Sequence, residues 1–296
     1  MDKGYIAPEA ALKKLRAAKG LGQTVYIYGA TGYRKTELVK QYLSKRRYHY
    51  ISCEEDATRL LDLAGEAQQA GMEKDMEHRT VIVVDDMHML KDGEGRRAVL
   101  SLVKRQDIWS LLICRSPIPA WLLPVYVSQG FLVITEDDLR LTGKEIAAYM
   151  ESQGLMITDE ELAFVSEKSQ GNAYTVRHTA LKMLEGQRPG PELAQEIVEA
   201  FAGYLENYVM VQWDSDLLEF LMQVSDEFTL PLAEMVTGNR RAPELLERAV
   251  ETGNFLSCKD GVYRLRPELI RALRRRAAKE YSPQERADHV YNAGLY

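Results

Sequence analysis

Apolar residues follow two rhythms along this chain, and the change between them falls near Leu141. Before it, short unbroken apolar runs alternate with longer amphipathic stretches. Val25 to Tyr28, Tyr48 to Ser52, Thr80 to Val84, Trp109 to Cys114 and Phe131 to Ile134 read as strands. A run that does not alternate has no face to give to water, so these strands should be covered on both sides. Helices are expected between them: Pro8 to Ala18, with a proline near its start, then Lys35 to Leu43, Ala57 to Ala70 and Gly95 to Lys104. Strands separated by helices imply a parallel sheet.

After Leu141 the rhythm is helical throughout. Lys144 to Ser152, Asp159 to Ser169 and Ala173 to Leu184 predict three short helices, punctuated by Gly154 and Gly171. Gln187-Arg188-Pro189-Gly190-Pro191 reads as a linker. Further helices are expected near Glu192 to Gln212, Asp216 to Val224, Leu230 to Val236 and Ala242 to Thr252. Asn254 to Cys258 and Val262 to Leu265 then flank Asp260-Gly261, the signature of a tight hairpin. A helix after it, Pro267 to Glu280, suggests a winged-helix-like module. Residues 284–296 look like the start of another helical unit, as if a longer protein had been truncated.

Composition narrows the field. The 296 residues are 46% hydrophobic and 28% charged, an ordinary globular balance with ample chain for a core. The net charge of −6 argues against this chain itself gripping nucleic acid. The basic runs Lys45-Arg46-Arg47, Arg240-Arg241 and Arg274-Arg275-Arg276 read as solvated helix ends or faces. No apolar run approaches the roughly 18 residues that span a bilayer, and Met1-Asp2-Lys3-Gly4 lacks the layout of a signal peptide. Cys53, Cys114 and Cys258 show no metal-ligand spacing and are expected as small core hydrophobes of a cytoplasmic protein with no membrane partner.

The chemistry starts where the first strand stops. Gly29-Ala30-Thr31-Gly32-Tyr33-Arg34-Lys35-Thr36 matches the phosphate-binding pattern G-x-x-x-x-G-K-[ST], except that Arg34 stands where the second glycine belongs. In such a loop, glycines let backbone N–H groups converge on phosphate oxygens, and the following helix aims its positive end at the same point. Lys35 would reach the β- and γ-phosphates of a nucleoside triphosphate and Thr36 would bind Mg²⁺. The side chain of Arg34 crowds the loop, though its cation is also able to contact phosphate. The buried strand Val81 to Val84 ends on Asp85-Asp86, where parallel strands present ligand sites. Asp85 would hold Mg²⁺ and Asp86 would polarise the attacking water. His88 reads equally as a γ-phosphate contact or a surface histidine. Arg115, after the next strand, reads equally as a γ-phosphate sensor or a surface arginine. His49, His78, His178 and His289 are too dispersed to form a ligand set.

Taken in order, these pieces resemble the signal-transducing STAND ATPases, and within them the large MalT-like regulators with LuxR-type DNA-binding tails. The likeness rests on Gly29 to Thr36, Val81 to His88, Ile113-Cys114-Arg115-Ser116-Pro117, Thr135 to Thr142 with Glu145, and the stretches Leu245 to Leu256 and Tyr263 to Leu269. It implies an α/β P-loop NTPase fold, a parallel sheet with helices on both faces, over residues 1–140. A helical lid (141–188) and a winged-helix-like domain (189–283) would follow. It further implies Lys35 and Thr36 on phosphate and Mg²⁺, Asp85 on Mg²⁺, Asp86 as the catalytic acid, Arg115 as nucleotide sensor, and Ile6-Ala7 against adenine. The implied function is an ATP/ADP-binding regulatory switch of a transcriptional regulator. It would self-associate in its ATP state and touch DNA only through a C-terminal domain absent here.

Four positions depart from the family pattern: Arg34, Gly171-Asn172-Ala173 where Gly-x-Pro is usual, Ala7-Pro8 in place of an arginine-bearing segment, and Arg266 in place of a histidine. They lead to an expectation of retained binding with impaired hydrolysis. The rival readings are a pseudo-ATPase scaffold and an AAA-type ATPase that remodels nucleic acid.

Overall fold

The computed structural model describes residues 5–55, 58–67, 79–90, 93–253 and 255–294. The chain forms two compact units, Met1–Ala180 and Leu181–Tyr296.

In the first unit the elements run α1 (Glu9–Leu21), β1 (Val25–Tyr28), α2 (Lys35–Tyr42), β2 (His49–Ser52), α3 (Thr58–Ala67), β3 (Thr80–Asp85), α4 (Gly93–Val103), β4 (Ile108–Cys114), α5 (Leu123–Gln129), β5 (Leu132–Ile134), α6 (Glu136–Leu139), α7 (Gly143–Ser152), α8 (Asp159–Ser169) and α9 (Ala173–Leu184). The predicted strands all form. All seven residues of β4 are buried, as are the last five of β3, which is why neither shows alternation in the sequence. The sheet order is β2-β3-β4-β1-β5 and every pairing is parallel. Tyr26, Ile82, Val84 and Leu112 pack from the sheet with Val99, Leu102 and Leu122 in one core cluster.

Two sequence expectations for this unit need adjusting, and helix α5 was not foreseen. Pro8 is the N-cap of α1 rather than part of its first turn. The helix expected over 57–70 is described from Thr58 to Ala67; Ala57 and residues 68–70 lie outside the described residues. Helix α5 was not legible, because Leu123-Pro124 reads as a loop while the proline in fact occupies the first turn, where no N–H is needed. The helices after Leu141 form near the expected places, except that the one expected over Glu192 to Gln212 ends at Tyr208 and is followed by a separate 3-10 turn, Met210–Gln212. Helices α7 and α8 start with capping boxes, Thr142 with Glu145 and Thr158 with Glu161, each satisfying two N–H groups reciprocally.

The second unit contains α10 (Pro191–Tyr208), α11 (Ser215–Gln223), β6 (Glu227–Thr229), α12 (Leu230–Thr237), α13 (Ala242–Gly253), β7 (Leu256–Lys259), β8 (Val262–Leu265), α14 (Pro267–Glu280) and α15 (Pro283–Gly294). The hairpin turns where predicted, with Asp260 (φ 53°) and Gly261 (φ 77°) both left-handed, as a two-residue hairpin loop demands. Asn254, expected at the start of the hairpin, lies outside the described residues. A third strand, β6, completes the antiparallel order β6-β8-β7; with Phe228 as its single buried residue it carries almost no sequence signal. The arginine runs are surface features here. Arg241 pairs with Asp216 at 2.6 Å, Arg274 with Asp226 at 2.8 Å and Arg275 with Glu199 at 3.1 Å. Cys53 and Cys114 are buried, but Cys258 is exposed on the hairpin rather than in the core. No described helix is long and apolar enough to cross a membrane.

Candidate functional site

The loop after β1 takes the shape its glycines allow, and one residue pays for it. Gly32 is left-handed at φ 88°, and Arg34 is left-handed too, at φ 51° and ψ 40°. The family glycine is therefore missing at a position whose backbone conformation costs an L-residue about 1–2 kcal/mol. The Arg34 guanidinium lies 4.8 Å from the centre of the Tyr5 ring, in the half-buried segment that continues into Ile6 and Ala7. The Tyr5 hydroxyl is buried without a hydrogen-bond partner, and that burial pushes its pKa up against the pull of Arg34.

Lys35 opens α2 and is buried. Its ammonium donates to the carbonyl oxygens of Gly29 (2.8 Å) and Ala30 (3.0 Å). Burial, with the Arg115 cation adding and Asp85 opposing, lowers its pKa to about 8. The Thr36 hydroxyl donates to Asp85 Oδ2 at 2.6 Å, joining the loop to the end of β3. The same carboxylate accepts from Tyr50 (2.9 Å) and from the Asp86 N–H (2.8 Å). Asp86 is left-handed at φ 55°, and its carboxylate accepts from Ser52 at 3.0 Å. Burial and the neighbouring Asp85 raise its pKa, while Ser52 and Arg115 offset part of the rise. A raised pKa suits a carboxylate that must take a proton from water.

His88, three residues beyond Asp85, has both ring nitrogens buried without a hydrogen-bond partner. Burial first, then the cations of Arg115 and Lys35, drive its pKa down to about 2 and keep the ring neutral. The neutral ring has one N–H to offer a ligand oxygen, beside the cations of Arg115 and Lys35. The residues thus fit a nucleoside triphosphate. Lys35 would exchange loop carbonyls for phosphate oxygens, and Thr36 with Asp85 would hold Mg²⁺. Among the described residues no three acidic, histidine or cysteine side chains cluster as a metal cage. Mg²⁺ needs none, since it is held mainly by phosphate and water with one or two side chains.

The strand order explains this convergence. Placing β4 between β1 and β3 gathers the loop, Asp85-Asp86 and Arg115 at the C-terminal ends of three adjacent strands, where open α/β sheets bind ligands. Ala30 and Tyr33 are buried, while Thr31 and Gly32 are half-buried. Sequence reasoning missed Tyr50 and Ser52, because only the parallel register of β2 on β3 (Ser52 opposite Asp85) sets them beside the acids. It also missed Glu136. Its carboxylate accepts the Ala30 N–H at 3.0 Å, and a side chain on Gly29 would come 3.2 Å from the Glu136 Cβ.

Comparison with known proteins bears on the fold. A family model described as the MalT winged helix domain matches residues 205–285. No curated protein sequence matches the chain. Among solved structures, the chain is similar to a Walker-type ATPase of Pyrococcus abyssi (TM-score 0.62, 12% identity), over 90% of this chain and 95% of that one. At that identity the likeness is one of fold. A STAND protein with a tetratricopeptide repeat sensor from Pyrococcus horikoshii aligns at TM-score 0.48 and 15% identity, over 99% of this chain and 45% of that one. RuvB of Thermotoga maritima aligns at TM-score 0.48 and 16% identity, over 90% and 92%. The chain thus has a P-loop NTPase fold followed by a segment that matches the MalT winged helix domain.

Proposed function

We propose that this chain is a nucleotide switch that binds ATP or ADP with Mg²⁺ and hydrolyses ATP slowly, as the regulatory module of a larger signal-responsive transcriptional regulator. The observation that carries the reading is the buried Lys35 ammonium, held on loop carbonyl oxygens with no counter-charge bonded to it, near the unpartnered ring nitrogens of His88. Such groups are costly in the folded protein unless a ligand completes them. Asp86 and Arg115 fit roles at the attacking water and the γ-phosphate. Ile6-Ala7 fits the adenine side. Self-association in the ATP state and a location in the cytoplasm belong to the same reading. A nucleotide shifts the switch only by its differential affinity for the two states.

One observation favours a second reading, a pseudo-ATPase scaffold. Arg34 holds the strained glycine position and stacks on Tyr5. Calorimetric titration of ATP and ADP into the wild type and Arg34→Gly separates the two. The switch reading expects wild-type binding of both nucleotides, and binding at least as tight in Arg34→Gly. A wild type that binds neither, beside a glycine variant that binds both, sinks the switch for this chain. In the same titration, His88→Ala should weaken ATP about tenfold more than ADP, because one charge-assisted contact to the γ-phosphate is lost.

A further inference from the structure

Of the stretch Thr135 to Thr142, one of the family-like motifs, only Glu136 has entered the site so far, yet nearly every polar side chain in it is engaged. Thr135 and Asp138 form the capping box of α6, and Asp138 also accepts from Lys14 of α1 at 2.7 Å. Leu139 is fully buried. Thr142 and Glu145 cap α7, and Glu145 reaches on to the Glu9 N–H at 2.6 Å. Glu136 and Arg140 carry the stretch toward the phosphate loop, Glu136 by a bond to Ala30 and Arg140 through Glu136 and the neighbouring Tyr33 ring.

Glu136 uses its two oxygens on two partners. Oε2 accepts the Ala30 N–H at 3.0 Å, and Oε1 accepts from Arg140 Nη2 at 3.2 Å. Arg140 spends its other nitrogens on Asp137 (3.2 Å) and on the Gln170 carbonyl oxygen (2.9 Å), while its guanidinium lies 5.8 Å from the centre of the buried Tyr33 ring. Gln170 and Gly171 are both left-handed and make the tight corner between α8 and α9. At this corner the Gly171 carbonyl accepts the Leu141 N–H at 2.9 Å, and the Tyr174 N–H donates to the Gly32 carbonyl at 3.0 Å. The phosphate loop is thus tied to the helical segment α7–α9 twice: at Ala30 through Glu136, Arg140 and Gln170, and at Gly32 directly.

We propose that Glu136 and Arg140 are positioning residues that couple the phosphate loop to the α8–α9 corner, so that docking of the helical segment sets the affinity of the loop for nucleotide. The physical reason is preorganisation. Backbone N–H groups bind phosphate well only when the loop is held in one shape beforehand. Lys35 closes the loop from within on the Gly29 and Ala30 carbonyls, while the loop's tie to the α8–α9 corner runs at Ala30 through Glu136 and one planar guanidinium and at Gly32 through one main-chain bond. Lysine cannot replace that guanidinium, since a point charge does not reach three acceptors in a plane. The proposal rests on the nucleotide-binding reading above and assigns its regulation.

The test is a double-mutant cycle on the full 296-residue chain with Glu136→Gln, Arg140→Lys and both together. ADP affinity is measured by calorimetry, and amide hydrogen exchange is followed in the protein without nucleotide. Each single variant should weaken ADP about tenfold. The double variant should be no weaker than the worse single, because both break the same relay. Exchange should speed up in residues 29–33 and in 170–174 together, while the β3 and β4 amides stay protected. Additive losses in the double variant would overturn the coupling, as would Arg140→Lys loosening 170–174 while 29–33 stay protected. A general rise in exchange that includes β3 and β4 would mark a merely structural role and overturn it too. If the wild type binds no ADP, the switch reading fails, and the exchange data still decide whether loop and corner are coupled.

Discussion

The phosphate-loop end of the first unit and the surface of the winged-helix unit use charge in opposite ways. In the second unit the arginines are numerous, exposed and paired in the open: Arg241 and Asp216 are each about half exposed. Such pairs are screened and contribute little. Around the loop the central charged groups, Lys35, Asp85 and Glu136, are buried and tightly constrained. Lys35 has only loop carbonyls for partners, and Asp85 takes three donors on one carboxylate. Two non-glycine residues, Arg34 and Asp86, are held in the left-handed region there. Strain and incomplete pairing mark a place built for something to bind, whereas a balanced surface network is solvated structure.

Backbone substitutions should break the contrast most visibly. An added Cβ at Gly171 would sit 2.7 Å from the Leu141 carbonyl oxygen at a left-handed φ of 75°. Gly261 in the hairpin has a similar φ of 77° with nothing within 4 Å. Gly171→Ala should therefore cost about 3–4 kcal/mol, from overpacking plus backbone strain, and Gly261→Ala about 1–2 kcal/mol from strain alone. Urea denaturation of the two variants checks this; equal losses would mean the α8–α9 corner relaxes freely.

A smaller effect should appear with pH. The pKa of Lys35 falls from 10.5 to about 8 on folding. Between those values the unfolded chain holds a proton that the folded chain has released, so stability rises with pH across that window. Relative to Lys35→Met, the wild type should gain about 2 kcal/mol between pH 8 and pH 10.5. Denaturation midpoints of both proteins, taken without nucleotide or metal, read the difference. Parallel curves would show that Lys35 is solvated. The smallest effect belongs to the second unit: Arg241→Ala should leave the denaturation midpoint almost unchanged, and the difference should shrink further in high salt.

Much of this was legible in the sequence for identifiable reasons. Strands buried on both faces leave uninterrupted apolar runs, so β1, β3 and β4 stood out. Helical rhythm punctuated by Gly154 and Gly171 announced α7, α8 and α9, and Asp260-Gly261 is local chemistry that announced the hairpin. The convergence of Lys35, Thr36, Asp85 and Arg115 was readable because each ends a strand or opens a helix next to one. Glu136 and Tyr50 were not readable, since their roles depend on which strands lie side by side. Nor did the sequence indicate that Arg34 sits in a left-handed conformation, stacked on Tyr5. The glycine pattern marked the position as unusual, but only the backbone gives the cost.

The strand order also bears on how the chain acquires its site during folding. Val25 of β1 pairs with Leu111 on one side and Leu132 on the other, so the strand that carries the phosphate loop has no sheet neighbour until segments far downstream exist. Closing such distant parallel pairings is slow, whereas β7 and β8 meet across a two-residue turn. On the ribosome, the loop would remain without either neighbouring strand until β4 had emerged, and without β5 until Ile134. A nucleotide that binds only the completed loop would then pull the last and slowest pairing to completion, acting as a folding ligand before it acts as a signal.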